Sequence, residues 1–120
     1  MGESVRSFED LDVWKLSMQL VVDIYQALKD CKDFGLRDQM QRSAVSIPSN
    51  IAEGFERNTN KEFIHFLFIA KGSSGELRTQ LYITGEVEIL GKQECKKLIE
   101  RCTVISRMLY KLIQTRKSSF

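Results

Sequence analysis

The side chains able to do chemistry are few, and their spacing limits what they can support. The one histidine, His65, follows Glu62 by three positions, a Glu-x-x-His pair that shares a helix face. A di-metal carboxylate bundle needs two such pairs and two further glutamates. The second histidine is missing, so neither a metal nor a cofactor is expected. Ser49, Ser73 and Ser74 have no evident partner base, and no Gly-x-Ser-x-Gly elbow or glycine-rich phosphate loop occurs. Helical serines of this kind act more simply as small spacers and backbone hydrogen-bonders. Three cysteines (Cys31, Cys95 and Cys102) make an odd count that suits a reducing compartment. Cys95 and Cys102 fall on one helix face about 10 Å apart by helix rise, beyond disulfide reach. The expectation is a protein that is not an enzyme.

Charge is the stronger signal. The net charge of +2 hides a balance of −3 over residues 1–34, −1 over 35–91 and +6 over 92–120. On a helical wheel Lys96, Lys97, Arg107 and Lys111 lie opposite the apolar seam of the last helix. Such a face either solvates a helix or meets phosphate. Aromatic stacking platforms for single strands are not evident in the sequence, so shape and charge are expected to dominate recognition.

The elements that must position these groups are helices. The chain has 120 residues, 42% of them apolar, with one proline and seven glycines, which suits a single domain of long helices. No apolar run reaches membrane-spanning length. The N-terminus carries no apolar segment, so no secretory signal is expected, and it fails the myristoylation pattern at Arg6. Residues 1–10 read as a flexible leader, 11–116 as one four-helix-bundle domain and 117–120 as a frayed tail. The first helix carries the stripe Trp14, Met18, Val21, Tyr25 and Leu28, with Asp10 or Asp12 as its cap. The second carries Leu36, Met40, Ala44, Ile47 and Ile51. Thr59 and Glu62 match a capping box opening the third, whose stripe is Phe63, Leu67, Ala70, Ser74, Leu77, Leu81 and Thr84. Gly72 and Gly75, with Ala70, Ser73 and Ser74, make a small-residue patch where another helix can approach. Gly91 reads as the stop of this helix. The fourth repeats Cys95, Leu98, Cys102, Ile105, Leu109 and Leu112 as a seam. Short connections between four helices give an all-α, antiparallel up-down-up-down four-helix bundle.

Two stretches break the pattern. Pro48 lies inside the second helix, where it gives no N–H and crowds the carbonyl of Ala44. A structural kink with Asn50 and Glu53 is expected there, with Asn50 able to satisfy an orphan carbonyl. Residues 63–70 read Phe-Ile-His-Phe-Leu-Phe-Ile-Ala, apolar almost all round. A solitary bundle has no layer to cover the outer side. A homo-oligomer follows, with Ile64, Phe66 or Phe68 near its interface, unless those rings tuck under residues 1–10.

Phe8-Glu9-Asp10-Leu11 with Val13-Trp14, and above all Ser43-Ala44-Val45-Ser46-Ile47-Pro48-Ser49-Asn50-Ile51-Ala52-Glu53-Gly54, resemble the four-helix-bundle family of 23S ribosomal RNA intervening-sequence proteins. The likeness continues through Arg57, Lys61-Glu62-Phe63, Gly72-Ser73 and Glu76-Leu77, and covers about residues 8–112. It implies a small bacterial cytoplasmic protein, related to genes within insertions in 23S rRNA genes, with no enzymatic activity. Rings of five subunits are implied as well. So is similarity to the accessory variability protein of diversity-generating retroelements, which binds nucleic acid through a basic surface. The expected function is a non-catalytic, homo-oligomeric scaffold, a pentamer by resemblance, that binds RNA or DNA. Arg42, Arg57, Lys61, Lys71 and Arg78 are candidate phosphate contacts, together with Lys96, Lys97, Arg107 and Lys111. The alternative is an adaptor whose basic surface meets an acidic protein partner, such as a reverse transcriptase-type complex, with no membrane involved.

Overall fold

The computed structural model describes residues 4–119. The first three positions of the expected leader and the last of the expected tail lie outside the described residues. A 3-10 turn, Phe8–Asp10, leads into four helices: α1 (Asp12–Ala27), α2 (Phe34–Glu56), α3 (Asn60–Glu86) and α4 (Lys92–Ser119). No strand occurs among the described residues. The bundle measures 45 × 26 × 20 Å, its long axis about the length of α3 and α4. Helix pairing is antiparallel, as cross-helix contacts show. Met40 and Ser46 of α2 meet Thr84 and Ser73 of α3 in reverse order, and Asn60 and Ser74 of α3 meet Arg116 and Cys102 of α4 likewise. Asp23 of α1 pairs with Arg101 of α4 at 2.7 Å.

Residues 6–10 of the leader lie close to the bundle. Asp10 Oδ2 accepts the backbone N–H groups of Arg6 (2.9 Å) and Ser7 (3.1 Å), which hold its carboxyl below the usual carboxylate range. Asp10 therefore closes the 3-10 turn rather than capping α1, whose N-cap is Leu11 with no side-chain bond. Phe8 stands edge-on to Trp14 with ring centroids 5.4 Å apart. At the other end α4 stays helical to Ser119, past the point where fraying was expected.

The core confirms three stripes and shifts one. Met40, Ala44, Ile47 and Ile51 of α2 are fully buried, as are Leu67, Ala70, Leu77 and Leu81 of α3. In α4 the seam runs Cys95, Leu98, Cys102, Ile105 and Leu109, then ends on Ile113 rather than Leu112. In α1 the buried face is Val13, Ser17, Leu20, Ile24 and Leu28. Leu28 belongs to the expected stripe as well, but its other members, Trp14, Met18, Val21 and Tyr25, are each one residue out of phase. Met18 is 38% exposed and Tyr25 45%, while Trp14 and Val21 are half-buried. Ser17 misleads the pattern, because a hydroxyl at a core position looks polar. Its Oγ donates to the carbonyl of Trp14 (2.9 Å), so it is buried with its bond made inside its own helix.

α2 passes through Pro48 unbroken, with the proline buried. Asn50 does not reach the carbonyl of Ala44. Its Nδ2 donates to Ser46 O (2.8 Å) and to Ser46 Oγ (2.9 Å). Because Ser73 Oγ donates to Ile69 O (3.1 Å), the Ser46 hydroxyl is left to donate to Ser73 Oγ (2.8 Å). This directed chain ties α2 to α3. Glu53 lies apart from it, pairing with Arg57 at the end of α2 (2.8 Å). Asn50 and Glu53, both expected beside Pro48, thus have separate partners.

α3 does not run on to Gly91. Its C-cap is Val87, and Glu88 takes a left-handed conformation at φ 61°. The Ile89 N–H reaches Thr84 O (3.0 Å) and the Glu88 N–H reaches Gly85 O (3.3 Å). This pair of bonds is a Schellman ending. At the start of α3, Thr59 Oγ1 accepts the Glu62 N–H (3.2 Å), the first half of the expected capping box. The Glu62 carboxylate goes instead to the Thr59 hydroxyl (3.5 Å) and to Arg57 (3.2 Å).

The apolar run 63–70 is largely covered by its own chain. Phe63, Leu67 and Ala70 are core, and Ile64 packs against them. Arg57 lies over the Phe66 ring, 4.9 Å from guanidinium to centroid. Phe68 is 46% exposed beneath Lys117, and Ile69 is 38% exposed. A further uncovered apolar face belongs to α1, where Met18, Val22 and Tyr25 are exposed along one side; Leu16, also exposed, lies on the opposite flank beside Arg101 and Val104 of α4.

Candidate nucleic-acid interface

Cations alone do not make an anion site; carboxylates nearby decide whether their charge is available. Among the described residues, Arg37 pairs with Asp38, Arg57 with both Glu53 and Glu62, and Arg101 with Asp23. These arginines are already neutralised. The candidate Arg57 is therefore a tie between the end of α2 and the start of α3.

Lys71, Arg78 and Arg107 stand differently. They line one groove between α3 and α4, about 420 Å³ in volume, together with Gly75, Thr103, Ser106 and Tyr110. No carboxylate lines this groove, and none pairs with the three cations among the described residues. The helices explain the convergence. Lys71 and Arg78 are seven residues apart on α3, about 10 Å along one face, and Arg107 faces them from antiparallel α4. Lys111, one turn beyond Arg107, is exposed on the same side of α4.

The floor of the groove is built of small hydroxyl residues already bonded inward. Ser74 Oγ donates to Cys102 O (3.0 Å), Ser106 Oγ donates to Ser74 Oγ (2.9 Å), and Thr103 Oγ1 donates to Ile99 O (3.1 Å). These bonds let α3 and α4 approach closely without an unsatisfied polar atom. Arg78 Nη1 donates to Thr103 Oγ1 (3.2 Å), which fixes the guanidinium across the groove. Its remaining N–H groups stay available to an acceptor. The small patch foreseen around Gly72 and Gly75 is thus divided. Ser73 and Ser74 make the close approaches, whereas a Cβ on either glycine would meet nothing within 4 Å.

The other candidates are scattered. Arg42 shares its grooves with Asp38 and with Glu76. Lys96 lies beside Glu86 and Glu100, and Lys97 beside Glu100. Lys61 is exposed in the first turn of α3. Tyr110 is the residue the sequence reading missed. It is 54% exposed and lines the cationic groove. Its position three residues after Arg107 was the signal, visible only once Lys71 and Arg78 were known to face it.

The Glu-x-x-His pair lies apart from the groove. His65 is exposed and stands edge-on to Phe66 at 5.3 Å, while Glu62 is held by Arg57 and Thr59. No three His, Cys, Asp or Glu side chains among the described residues are grouped to hold a metal ion. All three cysteines are unpaired. Burial pushes the Cys102 thiol up to about 12, with Arg78 and Arg101 opposing weakly, so it stays protonated at neutral pH. Burial, with Glu94 nearby, also raises Cys95. No helix among the described residues is long and apolar enough to cross a membrane.

An antiparallel bundle of four helices, closed by serine contacts and a proline-bearing second helix, defines the class. A crystal structure from Bacteroides thetaiotaomicron has the same fold, with a TM-score of 0.81 and 25% sequence identity. The match covers 86% of this chain and 96% of that one, a protein of unknown function from the S23 ribosomal protein family. The sequence profile of the 23S rRNA-intervening sequence proteins matches residues 9–111, and the chain belongs to that family. No curated protein matches it.

Proposed function

We propose that this protein is a non-catalytic scaffold that binds RNA or DNA through the α3–α4 groove and works as a homo-oligomer in a reducing bacterial cytoplasm. One observation carries the reading: Lys71, Arg78 and Arg107 converge with no carboxylate among them, while other arginines are neutralised locally. Positive charge held in a groove attracts phosphate backbones and releases their counterions. Three unpaired cysteines suit the compartment. Uncovered apolar side chains on α1 support self-association, and symmetry would repeat the groove around the assembly. The five-subunit number rests on family resemblance.

The test is a titration of labelled RNA and DNA at low and moderate salt. Affinity is expected to fall steeply with salt, and Arg78→Gln should weaken it while reducing the salt slope by about 1. No affinity at low salt ends the proposal. Capture of an acidic protein that persists after nuclease treatment would then point to an adaptor.

A further inference from the structure

We infer that the α3–α4 groove takes single-stranded nucleic acid, with Tyr110 as the platform on which one base stacks. The inference rests on the binding reading above and goes further, because a phosphate groove alone does not distinguish a strand from a duplex. Tyr110 does. Its ring is 54% exposed and lines the same groove as Lys71, Arg78 and Arg107. A paired base in a duplex keeps its faces stacked on its neighbours, so an aromatic side chain gains nothing from it without unstacking. An unpaired base offers a free π-face, and stacking of this kind tolerates any sequence.

The neighbours favour a strand in other ways. Gly75 faces open space, so the Thr103–Ser106 end of the groove has no α3 side chain there to obstruct a strand. The Thr103 and Ser106 hydroxyls are committed within the protein, leaving the rim cations to meet phosphates. Arg78, pinned to Thr103, presents its charge without a large ordering cost. A second exposed tyrosine supplies the internal comparison. Tyr82 is 59% exposed where the same helix pair opens toward the far end, but Glu86 and Glu100 line that stretch beside Lys92 and Lys96. Those carboxylates repel a phosphate backbone, so Tyr82 is not expected to stack.

The experiment is fluorescence anisotropy at low salt on the full chain, with labelled single-stranded RNA, single-stranded DNA and a matching duplex. Tyr110→Ala should weaken both single strands about tenfold and leave the duplex unchanged. Tyr110→Phe should retain the affinity and Tyr82→Ala should behave as the parent. Coincident thermal melts of the variants establish that the fold is kept. Equal affinity of Tyr110→Ala and parent for single strands overturns the inference, as does a parent preference for duplex. Either result leaves the groove reading standing if Arg78→Gln still weakens binding. Failure of every probe to bind overturns that reading and this one together.

Discussion

Gly54 sets the distance between α2 and α3. A Cβ placed there would lie 2.7 Å from Phe66 Cβ and 3.2 Å from the backbone carbonyl of Phe63. Neither neighbour is the end of a flexible chain, so α3 itself would have to move. Gly54→Ala is expected to destabilise the fold by about 1–2 kcal/mol, overpacking outweighing the gain in helix propensity. Gly72→Ala is the converse, since nothing stands within 4 Å of that site. It should stabilise by about 0.5–1 kcal/mol. Chemical denaturation of the two variants reads both signs; a more stable Gly54→Ala protein would show that the helices are not in contact there. The string around Pro48 is explained at the same scale. Its buried members face the core, Ser46 and Asn50 carry the hydrogen-bond chain to Ser73, and Gly54 admits Phe66. Each is a packing role.

At the scale of the element, periodicity was informative where polar and apolar residues separate cleanly. The stripes of α2 and α3 are legible for that reason. In α1 nearly every turn offers apolar side chains on two faces, so a one-residue shift of phase fits the spacing almost equally well. Burial of Ser17 beside Leu20 and Ile24 decides the phase, and only packing against the other helices fixes that. The end of α3 was misread because glycine is the expected left-handed residue. Here Glu88 holds that position, and Gly91 has no positive φ. A side chain with a Cβ is strained in that conformation. Glu88→Gly is therefore expected to stabilise the protein by about 0.5–1 kcal/mol, the relief exceeding the added freedom of the unfolded chain. A lower melting temperature for this variant would mean that the Glu88 side chain makes a contact worth more than the strain.

At the scale of the whole molecule, the outer surface carries two separate features. The groove between α3 and α4 is cationic, and α1, with Arg101 and Asp23 closing its contact to α4, presents Met18, Val22 and Tyr25 along one outward side. A contiguous apolar face of this kind is usually covered in an assembly. The parent protein is expected to sediment as several subunits. Val22→Glu, which leaves the core untouched, should sediment as one subunit while its stability within the subunit changes by less than about 0.5 kcal/mol. A parent that stays a single subunit at high concentration refutes the assembly. Phe68→Glu is expected to act more weakly, because the run around it is mostly covered by Arg57, Lys117 and the core.

The amino-acid sequence by itself determined four helices, their antiparallel order and three of the four buried faces, because those follow from local periodicity and from connections too short for any other course. It also contained every cation of the groove. Local spacing already pairs Arg57 with Glu53 four residues before it. Tertiary structure decided the rest: Lys71 and Arg78 meet Arg107 across two helices that Ser74 and Ser106 draw together, whereas Arg101 finds Asp23 on α1. Charge at a site depends on distances between residues far apart in the chain, and no periodicity within one helix encodes them.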